Sequence, residues 1–87
     1  MRAIRFVPDG REACLYWHEQ DKKTLKRINL LITTAARNPF QGVGKPEPLR
    51  GELSGYWSRR IDDRNRLVYR ANDSEIVVIA CRFHYGN

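Results

Sequence analysis

Three stretches of the chain carry groups able to move protons or hold charge. One is the run Cys81, Arg82, Phe83, His84 and Tyr85, which follows directly on the longest apolar stretch. It presents a cation, an imidazole and a phenol within four residues. Another is Glu47, framed by Pro46 and Pro48. Each proline fixes its own φ and drives the preceding residue toward extended backbone, so Glu47 has few states left. A carboxylate on so stiff a loop loses little entropy when it is held in one position. The remaining set is basic: Arg59, Arg60, Arg64, Arg66 and Arg70.

Metal binding, thiol chemistry and phosphodiester cleavage compete for these residues. Cys14 and His18 stand four apart, a good ligand spacing on a helix. Cys81 and His84 stand three apart, which on a strand sends them to opposite faces. One pair fits and the other does not, so no metal or cofactor is expected. Cys81 lies in apolar surroundings, where burial raises the thiol pKa and suppresses the thiolate. Both cysteines are read as buried thiols in preference to a disulfide.

RNA cleavage makes smaller demands. The 2′-hydroxyl is the nucleophile, so the protein needs a base, an acid and cations for the charge on phosphorus. Glu47, His84 or Tyr85, and the arginines supply that set. Strand parity groups Val78, Ala80, Arg82 and His84 on one face, and Arg66, Val68 and Arg70 on one face. If the two faces coincide, His84 and an arginine cluster look at the same space. One tension remains: arginines push a carboxylate's pKa down, away from that of a good base. Histidine exchanges protons more readily near neutral pH. The residues alone set a non-catalytic basic binding module ahead of a nuclease. Trp17, Tyr56 and Trp57 are available to stack on bases or to fill a core.

The elements that must position these groups follow from periodicity. Arg2 to Val7 reads as a short strand, ended by Pro8, Asp9 and Gly10. Arg11 to Gln20 reads as a helix that can place Ala13, Tyr16 and Trp17 on one face. Asp21 caps a second helix, on which Leu25, Ile28, Leu31, Ile32 and Ala35 form one apolar stripe. Lys22, Lys23, Lys26 and Arg27 take its other side, and Asn38-Pro39 stops it. Pro39 to Leu49 reads as a loop. Gly55 to Ile61 alternates Trp57, Arg59 and Ile61 against Tyr56, Ser58 and Arg60. Arg66 to Ala71 and Ile76 to Ala80 follow across short polar turns, giving an antiparallel meander. The expected class is α+β: an N-terminal strand, a helical hairpin, then a three-stranded meander with the helices on one sheet face.

Composition sets the outer bounds. The 87 residues suit one domain, 1–87, with one modest core. No apolar run is long enough to span a membrane and no signal peptide opens the chain, so a cytoplasmic protein is expected. Sixteen Lys and Arg against ten Asp and Glu give a net charge of +6. That favours a polyanion or an acidic protein as partner.

Four motifs in order resemble the YoeB/Txe toxins of the RelE-like superfamily. They are Asn38-Pro-Phe-Gln-Gly-Val-Gly-Lys-Pro-Glu-Pro-Leu49, Leu53-Ser-Gly-Tyr-Trp-Ser-Arg-Arg-Ile61, Arg66-Leu-Val-Tyr69 and Ala80-Cys-Arg-Phe-His-Tyr85. The Tyr16-Trp17 and Asp21-Lys22 region matches as well. The resemblance implies the toxin half of a bacterial type II toxin–antitoxin pair. Such a toxin enters the ribosomal A site, next to ribosomal RNA of the 30S subunit, and cuts mRNA without a metal or cofactor. By position, Glu47 resembles the general base and Arg66 the group that stabilises the charged phosphate. His84 resembles the general acid and Tyr85 the aromatic that orients the substrate. Arg60 matches a second basic position near the scissile phosphate, and Lys45, Arg50, Arg59 and Arg82 complete the expected RNA-binding set. The implied partners are mRNA on the ribosome, an acidic antitoxin and a second toxin copy. Arg50 stands at a Lys position of the family pattern, exchanging a point charge for a planar fork. Gly86-Asn87 extend past the Tyr that often ends the chain.

Overall fold

The computed structural model describes residues 1–82, so His84 and Tyr85 lie outside the described residues. The first strand, β1 (Ala3–Phe6), leads into helix α1 (Pro8–Gln20). The Pro8-Asp9-Gly10 run, expected as a turn, opens the helix instead. Proline suits a first helical turn because its missing N–H has no partner to lose there. Gly10 is buried, and a Cβ on it would lie 2.5 Å from the Val78 carbonyl oxygen. Glycine at this point lets the helix approach the sheet backbone directly.

Helix α2 (Lys22–Arg37) is separated from α1 by the single residue Asp21. Asp21 caps it as expected, accepting from the Lys23 and Thr24 N–H groups. Ile28, Leu31, Ile32, Ala35 and Ala36 are buried from its apolar stripe. Each large aliphatic side chain removed from water in this way contributes about 1.5–3 kcal/mol.

The remaining strands are β2 (Glu47–Pro48), β3 (Trp57–Arg60), β4 (Arg66–Ala71) and β5 (Glu75–Ala80). The sheet order is β1-β5-β4-β3-β2, with β1 parallel to β5 and the other pairs antiparallel. The meander is therefore the centre of a five-stranded mixed sheet. The N-terminal strand extends it on one side. On the other, part of the expected loop forms the edge strand β2, where Pro48 is tolerated because an edge leaves its missing donor uncompensated at no cost to a ladder.

Both helices cover one face. The core joins the α2 stripe to Leu67 and Tyr69 of β4, Ile76 and Val78 of β5, and Ile61 and Cys81. Ala13, Cys14 and Trp17 of α1 pack against it. The β4–β5 register pairs Val68 with Ala80 but Tyr69 with Val78, so Ile79 is an extra residue, a bulge. A bulge reverses which side chains face which way beyond it. Val78 therefore faces the core, and Cys81 joins it there. The simple alternation expected from Val78 through Ala80 breaks at this point.

Contact between α1 and β5 also corrects the reading of the cysteines. Cys14 and Cys81 are joined as a disulfide, with Cα atoms 6.1 Å apart. They lie 67 residues apart in sequence, so helix-on-sheet packing alone brings them together.

Candidate active site

Register decides what the helix-free face of the sheet presents. Glu47 pairs with Ser58, Ser58 with Val68, and Arg60 with Arg66. Directly opposed residues in an antiparallel pair point to the same side. Arg59, between Ser58 and Arg60, is turned to the core side. Glu47, Ser58, Arg60 and Arg66 thus share the opposite face. Glu47 is a diagonal neighbour of Arg60, which sits across from Arg66.

Each member is held differently. Glu47 is exposed and is fixed by backbone: Leu49 N–H donates to the Tyr56 carbonyl (2.9 Å) and Arg60 N–H to that of Gly44 (2.6 Å). Those bonds tether the chain on either side of the Pro46-Glu47-Pro48 frame. Arg66 is half-buried and donates through Nη1 to the carbonyls of Asp62 (2.7 Å) and Asn65 (3.1 Å). The β3–β4 turn therefore aims its guanidinium. That turn is closed by the Asp62 carboxylate, which accepts from Arg64 N–H and Asn65 N–H at 2.8 Å each. Partial burial pushes the Asp62 carboxyl up, and hydrogen bonds from Asn65 and Arg64 outweigh it, leaving the pKa below the usual carboxylate value.

Among the expected RNA contacts, Lys45, Arg50 and Arg60 are exposed. Lys45 adopts positive φ (50°), which reverses the chain just before Pro46. Arg82 is half-buried, its guanidinium carbon 3.6 Å from the centre of the Tyr16 ring. It lies against α1.

Arg59 has to be corrected. It is 0% exposed, and its guanidinium donates to the Tyr69 hydroxyl and to the carbonyls of Asn38, Gln41 and Val43. Every partner is a protein oxygen, so in this structure it offers nothing to RNA. The parity of β3 already held the signal, because Arg59 alternates in phase with the apolar Trp57 and Ile61. The two tryptophans are likewise committed. Trp17 donates its indole N–H to the Cys81 carbonyl (2.7 Å), and Trp57 lies against Phe40 with ring centres 4.8 Å apart.

The segment that leads to His84 and Tyr85 leaves the described residues from a firmly held point. Trp17 and Cys14 fix Cys81, and Tyr16 carries Arg82. Among the described residues, no group of three or more His, Cys, Asp or Glu side chains is placed to hold a metal ion.

A small α+β domain with helices on one sheet face and a cationic open face defines a class, and comparison with known proteins defines the family. The family described as "YoeB-like toxin of bacterial type II toxin-antitoxin system" matches residues 6–85. The Mycobacterium tuberculosis "Toxin RelK" is 58% identical over 85 residues, covering 98% of this chain and 100% of that protein. A solved "YoeB/ParE toxin from Agrobacterium tumefaciens" superposes with a TM-score of 0.90 at 42% identity, covering 95% of this chain and 99% of the other. In a solved "YoeB-YefM complex from Staphylococcus aureus" the matching chain has a TM-score of 0.87 at 41% identity, with 98% and 99% covered. The chain belongs to the YoeB-like toxins.

Proposed function

We propose that this toxin is a ribosome-dependent mRNA endonuclease that works without a metal. One observation carries the reading: the strand register sets Glu47, Arg60 and Arg66 on one helix-free sheet face. A phosphodiester group lying on that face meets a carboxylate on one side and two guanidinium groups on the other. Glu47 takes the proton of the 2′-hydroxyl, and the oxygen then attacks the adjacent phosphorus. Arg66 and Arg60 bind the charge that builds on the non-bridging oxygens, as preorganised cations do most effectively. His84 protonates the departing 5′-oxygen and Tyr85 orients the substrate; both assignments rest on family position. The products are a 2′,3′-cyclic phosphate and a free 5′-hydroxyl, so atoms and charge balance without water or metal.

Lys45 and Arg50 flank Glu47 along the chain and extend the cationic surface toward the RNA backbone. In this reading the protein acts in the cytoplasm. It is held inactive by an acidic antitoxin segment, in keeping with the complex formed by its Staphylococcus aureus relative.

The test is to map mRNA 5′ ends on ribosomes stalled by the purified protein. New ends within the A-site codon are expected. Arrested translation with intact A-site mRNA would favour a non-catalytic inhibitor that uses the same cationic face.

A further inference from the structure

Arg59 is a fully buried cation whose partners are all neutral oxygens. Burying a charge is expensive unless the site is built to receive it. Here it is built from one segment. Nη1 donates to the Val43 carbonyl (3.0 Å), and Nη2 to those of Gln41 (2.9 Å) and Asn38. Nε donates to the Tyr69 hydroxyl (3.0 Å), which in turn donates to the Pro39 carbonyl. With Gly44 accepting from Arg60 N–H, five carbonyls between residues 38 and 44 are tied to β3 and β4. The fit is close. A Cβ on Gly44 would lie 3.1 Å from the Arg59 Cβ and 2.7 Å from Leu31 Cδ2, and one on Gly42 would lie 3.4 Å from Arg59 Nη1.

This segment has no regular structure to satisfy its own carbonyls, and it ends at Lys45-Pro46-Glu47. We infer that Arg59, with Tyr69, is a positioning residue for Glu47: it fixes the 38–44 segment as a rigid strut and so sets where the carboxylate stands. The inference rests on the proposed role of Glu47 as base. Guanidinium is required because its planar fork serves several fixed acceptors at once, whereas an ammonium is a single point on a flexible stem.

The test uses the full chain with three substitutions. Arg59→Lys keeps the charge and loses the fork. Tyr69→Phe keeps the ring in the core and removes only the hydroxyl, so it folds even if the lysine variant does not. Ile28→Val, in α2 and outside the segment, controls for lost stability. Each is assayed for cleavage of ribosome-bound mRNA under single-turnover conditions, for ribosome binding, and for amide hydrogen exchange.

Tyr69→Phe is expected to lower the cleavage rate at saturation about tenfold, with binding changed less than twofold. Exchange of the Arg60 amide, whose N–H is held by the Gly44 carbonyl, accelerates while β4 and β5 stay protected. Arg59→Lys shows the same pattern, more strongly, and Ile28→Val shows neither effect. An unchanged cleavage rate in Tyr69→Phe despite faster exchange overturns the inference. So does an equal loss in Ile28→Val. If the unaltered protein leaves ribosomal mRNA intact, the nuclease reading fails. Exchange of the Arg60 amide then decides whether Arg59 and Tyr69 hold the strut, and unaccelerated exchange refutes that.

Discussion

Arg59 and Arg60 are chain neighbours on β3 and lie in two different solvents. Arg59 points to the helix-covered side, 0% exposed, with its N–H groups on loop carbonyls and a tyrosine hydroxyl. Arg60 points to the open side and is exposed beside Arg66. On the covered face the cation organises backbone, and its removal leaves part-buried carbonyls without donors. On the open face Arg60 is solvated and so remains available to a phosphate. Strand alternation therefore divides one residue type between structure and chemistry, and a sum over basic residues overstates the surface available to RNA.

That division predicts opposite responses to similar changes. The largest effect is expected for Arg59→Ala, which empties a fully buried side-chain site and strips the donors from part-buried carbonyls and from the Tyr69 hydroxyl, and should cost about 3–5 kcal/mol. Arg60→Ala should stay within about 0.5 kcal/mol, as exposed substitutions do. Urea denaturation of the two variants measures the contrast, and equal losses would break it.

Glu47→Gln comes next. Stability should change by less than about 0.5 kcal/mol, while cleavage of ribosome-bound mRNA falls on the order of 100-fold, the usual contribution of a positioned base. A variant that cuts as fast as the parent protein removes Glu47 from the mechanism.

Gly10→Ala probes the covered face from the helix side. Its Cβ would lie 2.5 Å from the Val78 carbonyl, so α1 must retreat from β5. A loss of about 1–3 kcal/mol is expected, typical of overpacking. A melting temperature equal to that of the parent would show that α1 does not sit where this packing puts it.

The smallest effect concerns acid. The Asp62 carboxyl, pushed up by burial but pulled further down by Asn65 and Arg64, has a folded pKa below its usual value. A group depressed in this way stabilises the fold above its unfolded pKa of about 3.9 and loses that contribution as pH falls through the folded value. Urea midpoints should be level above about pH 5 and decline below it, and Asp62→Asn should flatten part of the decline. A midpoint profile identical to that of the parent would show that the turn does not depend on the charged carboxylate.

Much of the fold was legible because local rules govern it. The α2 stripe, the Asp21 cap and the polar turns around Asp62 and Asn72 depend on residues within one or two turns of chain. The candidate site was legible in part. Glu47 stood out through its flanking prolines and Arg66 through strand parity, but their roles came from the resemblance to YoeB-like toxins. The phase of Trp57, Arg59 and Ile61 could have separated Arg59 from the exposed cations, and a tally of positive charge hid it.

The sequence by itself determined which residues alternate in β3 and β4, where α2 begins and ends, and that the chain presents an excess of cations. Only the tertiary structure decided which side of each alternation is inside. The reason is that a strand's two faces are equivalent until a distant element covers one of them. The covering by α1 and α2 sent Arg59 inward. The extra residue at Ile79 reversed the phase of β5 and carried Cys81 into the core. The approach of α1 joined Cys14 to Cys81, and pairing with β3 drew Glu47 into the sheet. Each of these depends on partners far apart in sequence, which local spacing does not encode.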